Sequence, residues 1–376
     1  MKSEDLINIL QLINTDGIGP VTFYNYIKKA GNLAGALAAA AQKRALFPRE
    51  AAETELEKAA KLGVELIAYT DKRYPQSLLE LNDAPPLLYA WGKIDLLQYP
   101  YAISIVGARN ASIAGRKTAS RIAYDLTEAD VLVVSGMARG IDSAAHKGAL
   151  YAKGQTGTTV AVLGTGIDIP YPSENTELYH NIRDNGLLIS ELPLGTAAQI
   201  SNFPRRNRII AALTAGTLVV EAGVNSGSLI TAKLALEMGK EIFAVPGSPL
   251  ESRSAGPNRL IKEGALLTEN ATDILNVLSM QQNHIIKQQK TLALPLDKPE
   301  NRVNISAHNE VSILMSETPA ENVKLLDLIS YEGVDIDELL RSCGLSQADF
   351  FAQILDLEFS GKIERHTGNK VAKIKG

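Results

Sequence analysis

Between Tyr101 and about Leu278 one pattern repeats: a short, continuously apolar run, a break, and a stretch of helical period. The runs are AISIVG, VLVVSG, TVAVLG, LLISEL, TLVVEA, EIFAVPG and ALLT. Apolarity that is continuous rather than alternating predicts strands covered on both faces, as in a parallel sheet wrapped by helices. The predicted fold class is therefore α/β, with a doubly wound, mostly parallel sheet within residues 66–278. Most runs end in glycine or glutamate (Gly107, Gly136, Gly164, Glu191, Glu221, Gly247). That carboxyl edge is where open α/β sheets bind ligands.

Ahead of the sheet, Leu6, Ile9, Leu10 and Ile13 follow the 3.6-residue period, and residues 1–65 are predicted to form an all-α domain. Its break, Gly17-Ile18-Gly19-Pro20, resembles the turn of a helix-hairpin-helix or SAM-like unit, whose backbone N–H groups meet phosphate. An ordinary αα-hairpin turn fits the same residues. Residues 66–100 carry two proline-marked turns, Tyr74-Pro75 and Pro85-Pro86, and read as a packed lead-in. Residues 279–319 are polar and aperiodic, which predicts a linker. Residues 320–376 resemble a winged helix: three short helices, then a hairpin with Gly368-Asn369 at its tip.

Composition narrows the function classes. The 376 residues are 45% hydrophobic, enough for a large core in two or three domains. A net charge of −4 gives no global sign of nucleic-acid binding, so any such site must be a local patch. The single cysteine, Cys343, excludes an internal disulfide and a cysteine-based metal cluster, and suits a reducing cytoplasm. MKSEDLINIL is not a secretory signal, and no apolar run has the length of a membrane span. A cytoplasmic protein without a membrane span is expected.

The candidate chemistry gathers at the carboxyl edge. Residues 202–235 place Phe203 beside Arg205, Arg206 and Arg208, then a strand, then Ser226-Gly227-Ser228 opening a helix, with Thr231 one turn on. Arginines with an aromatic suit phosphate pairing and base stacking, Asn207 offers amide hydrogen bonds, and a helix N-terminus offers unpaired N–H donors. Arginines clasping the sheet's own Glu191 and Glu221 are the alternative for Arg206 and Asn207. Gly107 and Arg109 follow the first strand, Arg139 and Asp142 the second, and Tyr171 lies in the third loop. The first loop lacks the G-x-G-x-x-G spacing, which disfavours nicotinamide binding. In Gly115-Arg116-Lys117-Thr118 an arginine interrupts the Gly-Lys pair of a P-loop. Asp142 and His146 are four apart, and a capping aspartate with a histidine packed on the sheet is favoured over acid–base chemistry. No G-x-S-x-G elbow occurs.

The ordered set IVGAR, SGMARGIDSAAH, VAVLGTGIDIPYP, ISELPLG, FPRRNRIIAAL, VVEAGVNSGSLITA and VPG resembles the DNA-processing protein A family (DprA/Smf), over nearly the whole chain. The resemblance implies an extended Rossmann fold that binds single-stranded DNA, forms a homodimer and helps load the RecA recombinase during natural transformation. It implies no catalysis and no cofactor. It also implies that Gly107 and Arg109 contact phosphate and that the Phe203–Arg208 segment lines the strand pocket. Ala108 stands where the family often has serine, which puts one hydroxyl contact in doubt. The expected DNA-binding set is Gly107, Arg109, Arg139, Phe203, Arg205, Arg206, Asn207, Arg208, Ser226, Gly227 and Ser228. The alternative is an enzyme acting on nucleotides or nucleoside phosphates from a related Rossmann core, although the P-G-G-x-G-T-x-x-E signature is missing.

The winged-helix segment is acidic. From Glu321 onward ten acids face seven bases, and Ser346 to Ser360, its expected recognition helix, has no lysine or arginine. A helix that reads duplex DNA needs cations. A protein-contact or packing role is expected instead.

Overall fold

The computed structural model describes residues 3–152, 158–279 and a set of positions between 325 and 373. The chain divides into two compact units, residues 1–295 and 296–376.

In the first unit every expected apolar run becomes a strand. These are β3 (Ala102–Val106), β4 (Leu132–Ser135), β5 (Thr159–Val162), β6 (Leu187–Ser190), β7 (Gly216–Val219), β8 (Glu241–Ala244) and β9 (Leu266–Leu267). All seven run parallel in the order β6-β5-β4-β3-β7-β8-β9. The winding direction reverses between β3 and β7, which makes their carboxyl ends the switch point of the sheet. The lead-in is part of the same sheet. β1 (Glu65–Ala68) and β2 (Leu87–Gly92) pair antiparallel, and β2 continues antiparallel onto β6.

Successive strand residues face opposite cores, and both cores are buried. Val106, Leu132 and Val134 pack with Ile209, Ile210, Ala232 and Ala235, from α9 (Asn202–Ala212) and α10 (Gly227–Glu237). Ile103, Ile105 and Val133 pack on the other side with Ile122 and Ala145, from α6 (Ile113–Glu128) and α7 (Ile141–Tyr151), and with Ile274. This double cover explains why the strands are continuously apolar.

The N-terminal helices are α1 (Ser3–Ile13), α2 (Pro20–Ala30), α3 (Leu33–Ala41) and α4 (Arg49–Leu62). Pro20 opens α2 at the first-turn position that tolerates proline. Arg44 Nη1 donates to Asp16 O at 2.8 Å and covers the hairpin at Gly17. The helices do not enclose a core of their own. Leu10, Phe23 and Ala59 share one apolar cluster with Tyr89 of β2, Ala161 of β5 and Leu188 of β6. The boundary expected near residue 65 therefore separates helix from strand, not core from core. Two further helices are α5 (Gln76–Leu79) and α8 (Thr176–Asn185).

In the second unit β10 (Val334–Asp335) and β11 (Ile363–His366) pair antiparallel with β12 (Lys370–Lys373). Leu325, Ile329, Leu339, Phe350, Ile354 and Val371 form its core. The β11–β12 hairpin falls where the wing is expected. Its tip, the linker 280–319 and most of the expected recognition helix lie outside the described residues.

Candidate functional site

Three close approaches build the switch-point edge. At Gly107, a Cβ would lie 2.5 Å from Ile141 Cγ1 and 2.9 Å from Glu221 O, so α7 and the end of β7 both press on the backbone there. Ala108 N donates to Glu221 O at 2.6 Å. At Gly140, φ is +80° and a Cβ would meet Ala108 O at 2.2 Å, so only glycine lets the β4–α7 loop lie against the β3–α6 loop. These contacts make the loops one rigid rim.

On that rim the exposed Arg109 guanidinium sits 5.4 Å from the centroid of the Phe203 ring. Tyr171 lies against the same ring, with centroids 5.4 Å apart and planes inclined by 30°. Phe203 rests on Gly164, where a Cβ would come within 2.8 Å of the ring. The stack borders two cavities. A groove of about 630 Å³ runs past Val106, Arg109, Phe203 and Asn207 to Ser226, Gly227 and Ser228. A pocket of about 250 Å³ lies beside it, between Arg109, Arg139, Tyr171, Glu174 and Phe203.

Asn225 to Ser228 form the groove's opposite wall. Ser226 caps α10 and its Oγ lies 2.7 Å from Ser228 Oγ. No atom stands within 4 Å of a Cβ built at Gly223 or Gly227, so the backbone of this turn faces open space. Asn207 Nδ2 donates to Gly227 O at 3.4 Å, tying α9 to the turn. Unpaired N–H groups at a helix start attract anions.

The Phe203–Arg208 segment is the first half of helix α9. Pro204 falls in the first turn, where its missing N–H has no intrahelical partner to lose. The helix separates the three arginines. Positions 205 and 208 lie on one side and 206 is turned about 100° from 205. Arg206 is buried, and its Nη1 donates to Gly136 O at 2.6 Å and to Val162 O. Arg208 is also buried, with Nη2 2.5 Å from Glu191 Oε2 and Nε 3.0 Å from Asp83 Oδ2. The half-exposed Arg205 lies 3.4 Å from Glu191 Oε1. Arg205 and Arg208 thus clasp a sheet carboxylate, the alternative weighed for Arg206, and neither lines the groove. Arg206 does line it, from beneath.

Arg139 reaches the smaller pocket and lies 3.3 Å from Glu174, so a carboxylate offsets part of its charge. Glu221 accepts from Ser112 N at 2.9 Å and Ser112 Oγ at 2.5 Å, and serves the start of α6.

Asp142 and His146 do not form an acid–base pair. Asp142 Oδ2 accepts from Gly136 N at 3.2 Å and Ala138 N at 3.4 Å, and burial raises its pKa against the pull of Arg206. Burial lowers the Arg206 pKa to about 10. Burial, with the Arg206 cation nearby, also lowers His146 to about 3, so its ring is neutral. Thr159 Oγ1 donates to Val133 O at 2.7 Å, which leaves His146 Nδ1, 2.7 Å from the same oxygen, to donate to it. His146 is a packed core residue with no solvent exposure.

Ile200 and Ile230 also line the groove and were not singled out in the sequence. Ile200 is 89% exposed, and a large aliphatic in a polar loop was the only available signal. Gly136 and Gly164 were visible as strand ends, but their service as sockets for Arg206 and Phe203 was not. Among the described residues no helix is long and apolar enough to cross a membrane.

A family model described as DNA recombination-mediator protein A matches residues 65–279, and one described as DprA winged helix domain matches residues 315–369. The chain is 35% identical to Protein Smf of Escherichia coli (strain K12) over 332 residues, 88% of this chain and 83% of that protein. It is 44% identical to DNA processing protein DprA of Streptococcus pneumoniae over 205 residues, 54% of this chain and 71% of that protein. The crystal structure of Streptococcus pneumoniae DprA superposes with a TM-score of 0.59 at 36% identity, covering 73% of this chain and 93% of that one. DNA processing protein A from Helicobacter pylori, studied for its single-stranded DNA binding mode, gives 0.53 at 28% identity, covering 58% and 96%.

Proposed function

This chain belongs to the DNA recombination-mediator protein A family, and we propose that its part in DNA processing is to hold single-stranded DNA along the carboxyl edge of the sheet. The observation that carries the proposal is the Arg109–Phe203–Tyr171 stack between two cavities at the switch point. An exposed guanidinium meets a phosphate, while the adjacent rings receive an unstacked base. The open N-terminus of α10, with Ser226, Gly227 and Ser228, faces a second phosphate. Arg139 and Asn207 complete the contact set. Gly107 lets the backbone approach, and Arg206 acts as the support beneath. A duplex, with its bases stacked inward, offers the rings nothing to stack on.

The protein acts by binding and not by catalysis, since the aspartate and histidine nearest the groove are committed to the loop backbone and the core. As a homodimer in the cytoplasm it passes the strand to RecA. Family membership supports these last parts.

Titration of single-stranded and duplex oligonucleotides at several salt concentrations tests the reading. Tighter binding of single strands, a negative log–log salt slope and little sequence preference are expected. Equal or tighter duplex binding would reject it. Turnover of a nucleoside monophosphate would favour the enzymatic alternative. Sedimentation with and without RecA on single-stranded DNA tests the assembly.

A further inference from the structure

The groove leaves one motif unused, Gly115-Arg116-Lys117-Thr118 at the start of α6. In a P-loop the amides ahead of such a lysine cradle phosphate. Here the chain's own carboxylate fills that place. Glu221 accepts from Ser112 N and Oγ, and a Cβ at Gly115 would lie 2.4 Å from Glu221 Cδ. The N-terminus of α6 is therefore closed to an anion, and Arg116 and Lys117 stand beyond it on the surface.

They meet Lys147 of α7 across a second groove, of about 330 Å³, whose other polar walls are Ser120 and Ser143. Arg116, Lys117 and Lys147 are all exposed. No aspartate or glutamate is among the described residues lining this groove. The nearest acids in sequence are occupied: Asp125 lies 2.8 Å from Arg121, and Asp142 is buried against the loop backbone. Three cations line this groove in a chain of net charge −4, and of them Lys147 also borders a neighbouring cavity that holds Glu174 and Glu177. Arg116 and Lys117 also lie near the start of α6, where the dipole favours acids, and α6 has no acid in its first turn.

Two features fix the geometry. Arg116 Nη1 donates to Ala111 O at 2.6 Å, which holds the guanidinium beside the β3–α6 loop that carries Arg109. Gly148 lets the helices touch, since a Cβ there would lie 2.1 Å from Ser120 O. On α7, Asp142 lines the first groove and the next residue, Ser143, lines the second. Ile113, 73% exposed, lies between Arg109 and the cations in sequence and gives a base an apolar contact.

We propose that the α6–α7 face is a second phosphate track, along which the strand held at Arg109 continues over Arg116, Lys117 and Lys147. This rests on the reading of the first groove as a single-strand site. It makes the occluded strand longer than the groove alone accommodates.

Fluorescence anisotropy with homothymidine oligonucleotides of about 4 and about 16 nucleotides tests it, the span of site sizes of single OB folds. The variants are Arg116→Ala/Lys117→Ala/Lys147→Ala, and Arg116→Lys as the charge-retaining control. Expected for the triple variant is unchanged affinity for the short strand and a loss of about tenfold or more for the long one. Its long-strand salt slope should fall by about 2, the value for three lost single-strand phosphate contacts. Arg116→Lys should keep the long-strand affinity. Equal losses at both lengths, or none at the longer, overturn the proposal. If wild-type protein binds neither strand, the first-groove reading fails and this proposal with it.

Discussion

The Arg206 guanidinium occupies the space that a side chain at Gly136 would need, since a Cβ there would lie 2.4 Å from Nη2. Through Gly136 O and Val162 O the same group ties the ends of β4 and β5 together beneath the groove. Arg206 is in this respect a structural cation beside the buried Asp142.

Arg206→Ala is therefore expected to destabilise the fold by about 3–5 kcal/mol, because it leaves a buried carboxylate without its cation and two carbonyls without a donor. Urea denaturation measures this. Gly136→Ala should also be costly, and less so when Arg206 is already alanine, since the clash partner is gone. An unmoved unfolding midpoint in Arg206→Ala would sink this assignment.

The same helix carries a contrast in stability. Arg208→Ala leaves the buried Glu191 with only the half-exposed Arg205 and is expected to cost about 3–5 kcal/mol. Arg205→Ala removes a half-exposed contact and should cost less than about 1 kcal/mol. Neither residue lines the groove, so folded protein of either variant should keep its affinity for single-stranded DNA. A binding loss in Arg205→Ala, measured by anisotropy, would return that residue to the interface.

Arg109→Ala should lower single-strand affinity by about tenfold and the salt slope by about 0.7, one phosphate contact. Its unfolding midpoint should stay put, because the side chain is exposed. Phe203→Ala should cost about 1–3 kcal/mol of binding and leave the salt slope alone, since stacking carries no counterion release. An unchanged slope in Arg109→Ala would show that its guanidinium meets no phosphate.

His146 gives a pH signature of folding. Its pKa is lowered from 6.5 to about 3 in the folded protein. The unfolded chain therefore takes up the proton first, and this contribution to stability is lost as pH falls from about 6.5 toward 3. Between about pH 7.5 and 5 the expected loss is about 2 kcal/mol. Asp142 opposes it, because its raised pKa makes the folded protein the better proton binder as pH falls. Denaturation of wild type and His146→Gln across this range isolates the histidine. The variant should lose less stability on acidification, and parallel profiles would refute the account.

Much of the fold was legible because strand burial leaves a local mark. A run such as Ala102–Val106 is apolar at nearly every position because α7 and α9 cover opposite faces of the sheet. The lead-in strands were legible as short apolar runs, but not as members of the main sheet, since pairing with β6 is decided about a hundred residues away. The N-terminal helices showed their period plainly. That their apolar faces close on β2, β5 and β6 depended on what the sheet left uncovered.

The site divides in the same way. Its residue types, their order and the edge they occupy follow from the sequence, because strand ends and loop glycines mark the carboxyl edge whatever the strand order. Which arginine faces the groove was decided by tertiary structure alone. Pro204 hid the start of α9, although Ser201 stands at its N-cap, and without the helical phase Arg205, Arg206 and Arg208 read as one cluster. The placement of β7 beside β3 then set Phe203 on Gly164 and Arg206 on Gly136, and left Arg109 free above them. Periodicity is a property of neighbours in the chain, whereas the clearance that glycine leaves for a distant side chain exists only once the sheet has assembled.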